Sequence, residues 1–362
     1  MDPLMTVGVL AGIRVVELGG IGPTPFCTML LAQHGAAVTR LVRPGRGPRP
    51  AALDRGKSLR EIDLKDPDQR AEVLALVAES DAVIEGFRPG VSERLGLGPD
   101  DLTAVRPGLV YGRMTGWGQY GPLAGTAGHD INYIAISGVL GAIRRTGERP
   151  IPPLNLVGDF GGGAMMLAFG VVAALLRARA TGVGATVDAA MVDGSANLMA
   201  MTWGYAADGR WSEPPGGNLL DGGAPFYDTY SCADGRYVAV GAIEPQFYRE
   251  LLAGLGLQNQ IDAAEQLDRS AWARHRKLFA ERFRTRDRDV WVDHFTGRDA
   301  CLSPVLDLNE VPEHPHNRAR EIFEYDDAGH PLPRTAPRIT ALDVASAPAF
   351  SGEPDDEFPV SR

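Results

Sequence analysis

Ile13-Arg-Val-Val-Glu-Leu18, Gly19-Gly-Ile-Gly-Pro-Thr-Pro25, Phe26 to His34 and then Gly35 read as a β-branched strand, a glycine-rich turn and a helix stopped by glycine. Working outward, the alternation continues. Ala37 to Val42 is a second strand, Asp66-Pro67 opens a helix running to about Glu79, and Asp81 to Glu85 and Leu109 to Met114 are further strands. A long apolar helix over 164–176 precedes another strand, Thr186 to Val192, and a helix from Ser195 to Ala206. This order predicts an α/β fold with a Rossmann-like parallel sheet covered by helices. The dinucleotide fingerprint is missing: Gly20-x-Gly22 needs a third small residue at position 25, and Pro25 stands there without an N–H. A dinucleotide oxidoreductase, the function that topology alone suggests, is disfavoured.

The organisation changes after 207. Residues 208–225 are rich in glycine and proline and read as a linker. Phe226 to Ser231 and Arg236 to Val240, joined by Cys232-Ala-Asp-Gly235, carry a β-hairpin signal, and helices follow near 245–254, 270–285 and 287–296. The expected division is a large domain over 1–207, a smaller α+β domain over 226–320 and a return linker over 321–330. The proline-rich tail, 331–362, is expected to pack back and complete the large domain.

Composition narrows the partners. A net charge of −10 argues against nucleic acid. The three cysteines, Cys27, Cys232 and Cys301, lie far apart with no Cys-x-x-Cys, so neither a disulfide framework nor a zinc site is indicated and a reducing, cytoplasmic setting is expected. The first ten residues show no signal-peptide pattern, and the apolar run 164–176 is too short to span a bilayer.

Chemistry concentrates in Gly128-His-Asp-Ile-Asn-Tyr133 and Asn155-Leu-Val-Gly-Asp159. His129 precedes an apolar stretch, Ile131 to Leu140, expected to be a short buried helix. Asp159 precedes Phe160 and three glycines that are expected to open the long helix. Two acid/base groups of different kind at helix N-termini suit proton abstraction beside a carbonyl, with free N–H groups holding the enolate. A helix cap at His129 and an N-cap at Asp159 account for the same positions, and spacing alone favours that structural reading.

A basic cluster lies between 40 and 60, where Arg40, Arg43, Arg46, Arg49, Arg55, Lys57 and Arg60 face Asp54 as the one acidic residue. Placed on a loop at the carboxyl edge of the sheet, it fits either a solvated surface or a site for a polyphosphorylated small molecule, and Arg88 at the next strand end could join it.

Several long stretches carry a resemblance: Arg14-Val-Val-Glu-Leu18, Arg55-Gly-Lys57, Asp63-Leu-Lys65, Arg88-Pro-Gly-Val91, Met114-Thr-Gly-Trp-Gly-Gln119 and Ala127-Gly-His-Asp-Ile-Asn-Tyr133. Pro153-Leu-Asn-Leu-Val-Gly-Asp-Phe160, Asp221-Gly-Gly-Ala-Pro225 and Val240-Gly-Ala-Ile-Glu-Pro-Gln-Phe247 complete it. Over nearly its whole length the chain resembles the α-methylacyl-CoA racemases of mycobacterial type, within the class III CoA-transferase (CaiB/BaiF-like) family.

The resemblance implies an isomerase that interconverts (2R)- and (2S)-2-methylacyl-CoA thioesters. It implies His129 and Asp159 as the two bases, Glu244 as the partner of the histidine, Asn155 beside the aspartate, and the Asp130 N–H as donor to the thioester oxygen. It places Arg43, Ile62, Asp63, Leu64 and Lys65 on the CoA site, together with Gly128, His129, Asp130, Ile131, Asn132 and Tyr133. Arg55, Lys57 and Arg88 join that site on the strength of the basic cluster. The implied assembly is an interlocked homodimer in which Glu244 reaches the partner subunit's histidine. CoA is carried as part of the substrate, and no metal or other cofactor is required. The alternatives are CoA transfer between carboxylic acids, with Asp159 as nucleophile, and a non-catalytic acyl-CoA-binding protein, which the presence of both bases disfavours.

Overall fold

The computed structural model describes residues 8–45 and 51–340. Arg46, Arg49 and the tail beyond 340 lie outside the described residues. Six strands form one parallel sheet: β1 Arg14–Gly19, β2 Ala37–Val42, β3 Lys57–Glu61, β4 Ala82–Glu85, β5 Val110–Thr115 and β6 Ala185–Ala190. Their spatial order is β3-β2-β1-β4-β5-β6, so the connection reverses direction between β1 and β4. A crevice opens at the carboxyl ends of the strands on either side of such a reversal, and ligands of open α/β sheets bind there.

Alternation along β1 builds both flanking layers. Ile13 and Val15 face a core with Cys27, Leu31, Leu167 and Val171, whereas Val16 and Leu18 face a second core with Val73, Val77 and Leu102. The first layer is made by the helices Pro23–Gln33 and Leu156–Thr181, the second by Pro67–Ala78 and the short helix Pro99–Val105.

The first helix begins at Pro23, not Phe26, because Pro23 and Pro25 occupy a first turn whose N–H groups need no intrahelical acceptor. β3 lies where the sequence has the look of a basic loop; its Ser58, Leu59, Arg60 and Glu61 are exposed on a sheet edge, so no apolar alternation announces a strand. The long helix begins at Leu156, with a π-helical stretch through Met165 before the α-helix Met166–Thr181. The three glycines therefore lie inside the helix. What approaches them is protein: a methyl group on Gly194 would sit 1.8 Å from the Gly162 carbonyl, in the helix Met191–Leu198.

That long helix spans 26 residues and contains an 18-residue window of mean hydropathy 1.7, long and apolar enough to cross a membrane by length and composition. One stripe, Leu167 and Val171, is buried against Gly112 of β5. The other, with Phe169 at 75% and Leu176 at 68% exposure, is uncovered in the single chain. The 131–140 segment likewise forms two short helices, Asp130–Ile136 and Val139–Ala142, and only part of it is buried, since Ile131 and Ile136 are exposed.

A separate antiparallel sheet joins β7 Tyr227–Ser231, β8 Tyr237–Gly241 and β9 Leu302–Pro304. It packs with the helices Pro245–Leu255, Trp272–Phe283 and Arg288–Phe295 around Phe226, Tyr248, Phe279 and Trp291. The expected linker is ordered by Asp221, whose carboxylate accepts the N–H groups of Gly216, Asn218 and Gly223. Residues 323–337 return to the large sheet. There the short strands β10 Phe323–Tyr325 and β11 Pro331–Pro333 pair, Arg55 donates to the Pro333 carbonyl, and His34 contacts that of Pro337.

Candidate active site

The loops after β1, β4 and β5, together with the start of the Met191–Leu198 helix after β6, enclose a cleft of about 340 Å³ lined by Gly22, Phe87, Arg88, Trp117, His129 and Asp159 among others. The histidine and the aspartate of the two sequence motifs thus share one cavity at the topological switch.

Asp130 bolts the two motifs together. Its buried Oδ2 accepts the Asp159 backbone N–H at 2.7 Å, and Gly158 is glycine because a Cβ there would lie 2.5 Å from that oxygen. Asn132 Oδ1 accepts the His129 N–H at 3.0 Å, so this asparagine caps the helix. Of these motifs Gly128, His129, Tyr133 and Asp159 line the cleft, whereas Asp130, Ile131, Asn132 and Asn155 do not. Asp130, as the first residue of its helix, has an N–H with no intrahelical acceptor. Tyr133 is buried, donates its hydroxyl to the Gly128 carbonyl and meets Trp117 edge-on at 4.7 Å. Gly116 and Gly128 make room for that ring.

Asp159 is half-buried. Burial is the largest influence on its carboxyl and raises it above the ordinary aspartate range; the Asn155 hydrogen bond, 3.1 Å from Nδ2 to Oδ2, opposes this, Asp130 adds to it and His129 opposes it. Gly22, at φ 63° and N-cap of the first helix, approaches so closely that a Cβ would lie 2.9 Å from Asp159 Oδ2. Phe26 stacks on Phe160 at 4.4 Å, fixing the same helix against the aspartate's turn. Removing the Asn155 amide is expected to raise the Asp159 pKa further, because the lost donor favoured the carboxylate. Carbon-13 NMR titration of Asn155→Ala against the unaltered protein reads the shift, and an unchanged or lower value contradicts it.

A second compartment of about 370 Å³ sits at the ends of β1, β2 and β3, lined by Arg43, Ile62, Asp63, Leu64, Lys65 and Arg94, with Phe87 common to both compartments. Three cations and apolar walls suit a nucleotide with its phosphates. Arg94 and Phe87 were missed from sequence; their position after β4 was the available signal.

The remaining basic residues have other partners. Lys57 has a fully buried side chain and donates to Glu17 Oε2 at 3.0 Å and to the Pro25 carbonyl at 2.8 Å, while Thr28 donates to the same Glu17 oxygen at 2.6 Å. Arg40 pairs with Glu17 and Asp54. Arg55 pairs with Glu324. These groups tie the fold together, and Lys57 could not reach a ligand without abandoning a buried carboxylate. Arg88 is exposed and lines the His129 cleft.

Glu244 lies outside this cleft. It is the exposed N-cap of Pro245–Leu255, close enough to Cys301 to add to the rise that burial imposes on that thiol.

A parallel sheet in 3-2-1-4-5-6 order, with a cleft holding a histidine and an aspartate and a cationic compartment at its switch, is the Rossmann-like α/β class with its ligand crevice at the switch point. The sequence pattern of CoA-transferase family III matches residues 10–354, and the chain belongs to that family. It is 45% identical to the human α-methylacyl-CoA racemase, over 95% of this chain and 90% of that protein. Identity to the mouse α-methylacyl-CoA racemase is 46%, over 92% of this chain and 87% of that one. The crystal structure of a CaiB/BaiF family protein from Brucella suis superposes with a TM-score of 0.78 at 26% identity, covering 94% of each chain.

Proposed function

We propose that this chain is an isomerase interconverting the (2R) and (2S) epimers of 2-methylacyl-CoA thioesters, His129 and Asp159 being the two bases. The observation that carries this reading is that an imidazole and a carboxylate of weakened acidity share one cleft at the switch point. The α-proton of a thioester is weakly acidic, so its removal needs a positioned base and a stabilised enolate oxygen. Inversion requires one group to take the proton from one face while the other returns it to the opposite face. At any moment the pair holds a single transferable proton, on His129 or on Asp159, and each turnover moves it from one to the other. Bringing the aspartate up toward the histidine's range narrows the gap between the two states. The Asp130 N–H is the donor to the enolate oxygen. Asn155 holds the Asp159 carboxylate.

CoA enters as part of the substrate, with no separate cofactor. Its phosphates meet Arg43, Lys65 and Arg94, while Ile62, Asp63 and Leu64 line the same compartment. Binding there supplies orientation to the reacting carbon. Arg88, Gly128 and Tyr133 line the thioester end.

The assembly in this reading is a homodimer. Ile136, Leu154, Phe169, Leu176 and Trp203 are each at least 60% exposed in the single chain, apolar surface that a second subunit would cover, and Glu244 would reach the His129 of that subunit. Unpaired cysteines and the enzyme class support a cytoplasmic setting.

The competing chemistry in this family is CoA transfer, in which Asp159 attacks the thioester carbonyl and CoA thiolate leaves. Chiral chromatography of one epimer incubated without an acceptor acid separates the two: loss of stereochemical purity supports racemisation, and turnover only with added carboxylate replaces it by transfer. Mixing inactive Glu244→Ala and Asp159→Asn chains tests the dimer. Activity regained on mixing supports a site shared between subunits, and none regained contradicts it.

A further inference from the structure

One fully buried carboxylate stands at the crevice without a part in the proton transfer. Glu85 is the last residue of β4, and its Oε2 accepts the Phe87 backbone N–H at 2.6 Å. Its Oε1 accepts from Arg113 Nε of β5 at 3.1 Å. Arg113 reaches on to Glu93 Oε1 at 2.8 Å, on the short helix Val91–Arg94. The three side chains form a bracket beneath residues 86–94, and everything that this loop offers to the crevice hangs from it. Phe87 faces both compartments, Arg88 the His129 cleft, and Arg94 the cationic compartment.

The 86–94 segment carries two backbone hydrogen bonds of its own, from the Val91 N–H to the Arg88 carbonyl and from the Arg94 N–H to the Gly90 carbonyl, and it is held from below at the Phe87 N–H and at Glu93. A hydrogen bond to a charged, buried acceptor is among the stronger local restraints available. Loosening it leaves the proton-transfer groups in place, since Asp159 and His129 are fixed by Asp130 and Asn132 on other elements.

We propose that Glu85 and Arg113 are positioning residues that hold the 86–94 loop in the shape that receives CoA, so that Glu85 sets affinity for the CoA moiety and not the rate of proton transfer. This rests on the reading of the crevice as a CoA site.

The bracket is also sensitive to pH. Burial pushes the Glu85 carboxyl up to about 7; the Phe87 N–H and Arg113 oppose that rise and Glu93 adds to it. The groups facing Glu85 are Arg113 and Tyr111 on β5 and Glu93 on the short helix, and the Tyr111 hydroxyl is raised chiefly by burial. Above that value the carboxylate is charged and grips both donors. As pH falls through it, Glu85 takes up a proton, the grip weakens and CoA binds less well.

Calorimetric titration of free CoA into the full-length protein and its Glu85→Gln variant, at pH 8 and pH 6, is the test. At pH 8 the variant should bind about tenfold more weakly, the effect of losing one charge-assisted restraint. At pH 6 the two dissociation constants should converge to within about threefold. Titration of CoA's own phosphates affects both proteins alike and cancels in the ratio. Equal affinities at both pH values overturn the inference while leaving the CoA site standing. Absence of CoA binding by the unaltered protein overturns the functional reading and the inference with it. If Glu85→Gln does not fold, Glu93→Gln, whose carboxylate is 43% exposed, carries the test. It should weaken CoA binding about two- to threefold, and unchanged binding overturns the inference.

Discussion

Replacing Asp159 with asparagine is expected to lower kcat for epimerisation by about 10³-fold, within the range that a general acid/base supplies. The substitution keeps size and shape. The Asp159 N–H still reaches Asp130, and the close approach of Gly22 still leaves room for the side chain. What disappears is the only atom pair at this position able to accept and return a proton. KM should move little, because the cationic compartment lies at the ends of β2 and β3, away from the aspartate. His129→Ala should produce a loss of similar size. A fall of less than tenfold in either variant, measured by loss of optical purity of a single epimer, contradicts the two-base assignment.

The second large effect concerns stability. Lys57→Met is expected to cost about 3 kcal/mol, the lower part of the range for removing one partner of a buried ion pair. Glu17 is fully buried, and Arg40 and Thr28 would still contact it, which keeps the cost from being larger. Urea unfolding reads the change. Arg43→Ala and Lys65→Ala, both on exposed positions of the crevice rim, should instead leave stability within about 0.5 kcal/mol and weaken CoA binding. Equal stability of Lys57→Met and the unaltered protein would return Lys57 to the list of ligand-binding cations.

These two variants mark where sequence reading succeeded and where it stopped. The strands β1, β2, β4 and β5 were legible because buried parallel strands are β-branched runs between glycine and proline signals. The hairpin of β7 and β8 was legible from its turn. β3 was not, since an edge strand with four exposed residues has the composition of a loop. For the same reason the basic cluster read as one surface. The fold divides it: Arg40 and Lys57 turn inward to Glu17, Arg55 is spent on the returning segment 323–333, and Arg43 alone of the four lines the nucleotide-sized compartment. Charge in a sequence carries no direction, and which face a side chain takes is settled by the strand that bears it.

The glycines show the same limit. Gly158 and Gly22 make room for carboxylates of the site, whereas Gly162 and Gly194 let two helices touch. Nothing in the sequence separates the two uses. Residue type marks His129 and Asp159 as candidates, spacing alone favours helix caps there, and the family resemblance supplies their roles; their sharing of a cavity follows from Asp130, a residue whose carboxylate acts at a distance of 29 positions. Glu85 went unnoticed because a carboxylate at the end of a strand is ordinary in sequence; only its burial beneath the 86–94 loop sets it apart.

The most direct measurement is incubation of one purified 2-methylacyl-CoA epimer with the protein in heavy water, without an acceptor acid. Two-base epimerisation predicts deuterium at the α-carbon together with loss of stereochemical purity, both abolished in Asp159→Asn. Retention of the α-hydrogen and of configuration over many equivalents of enzyme time would contradict it.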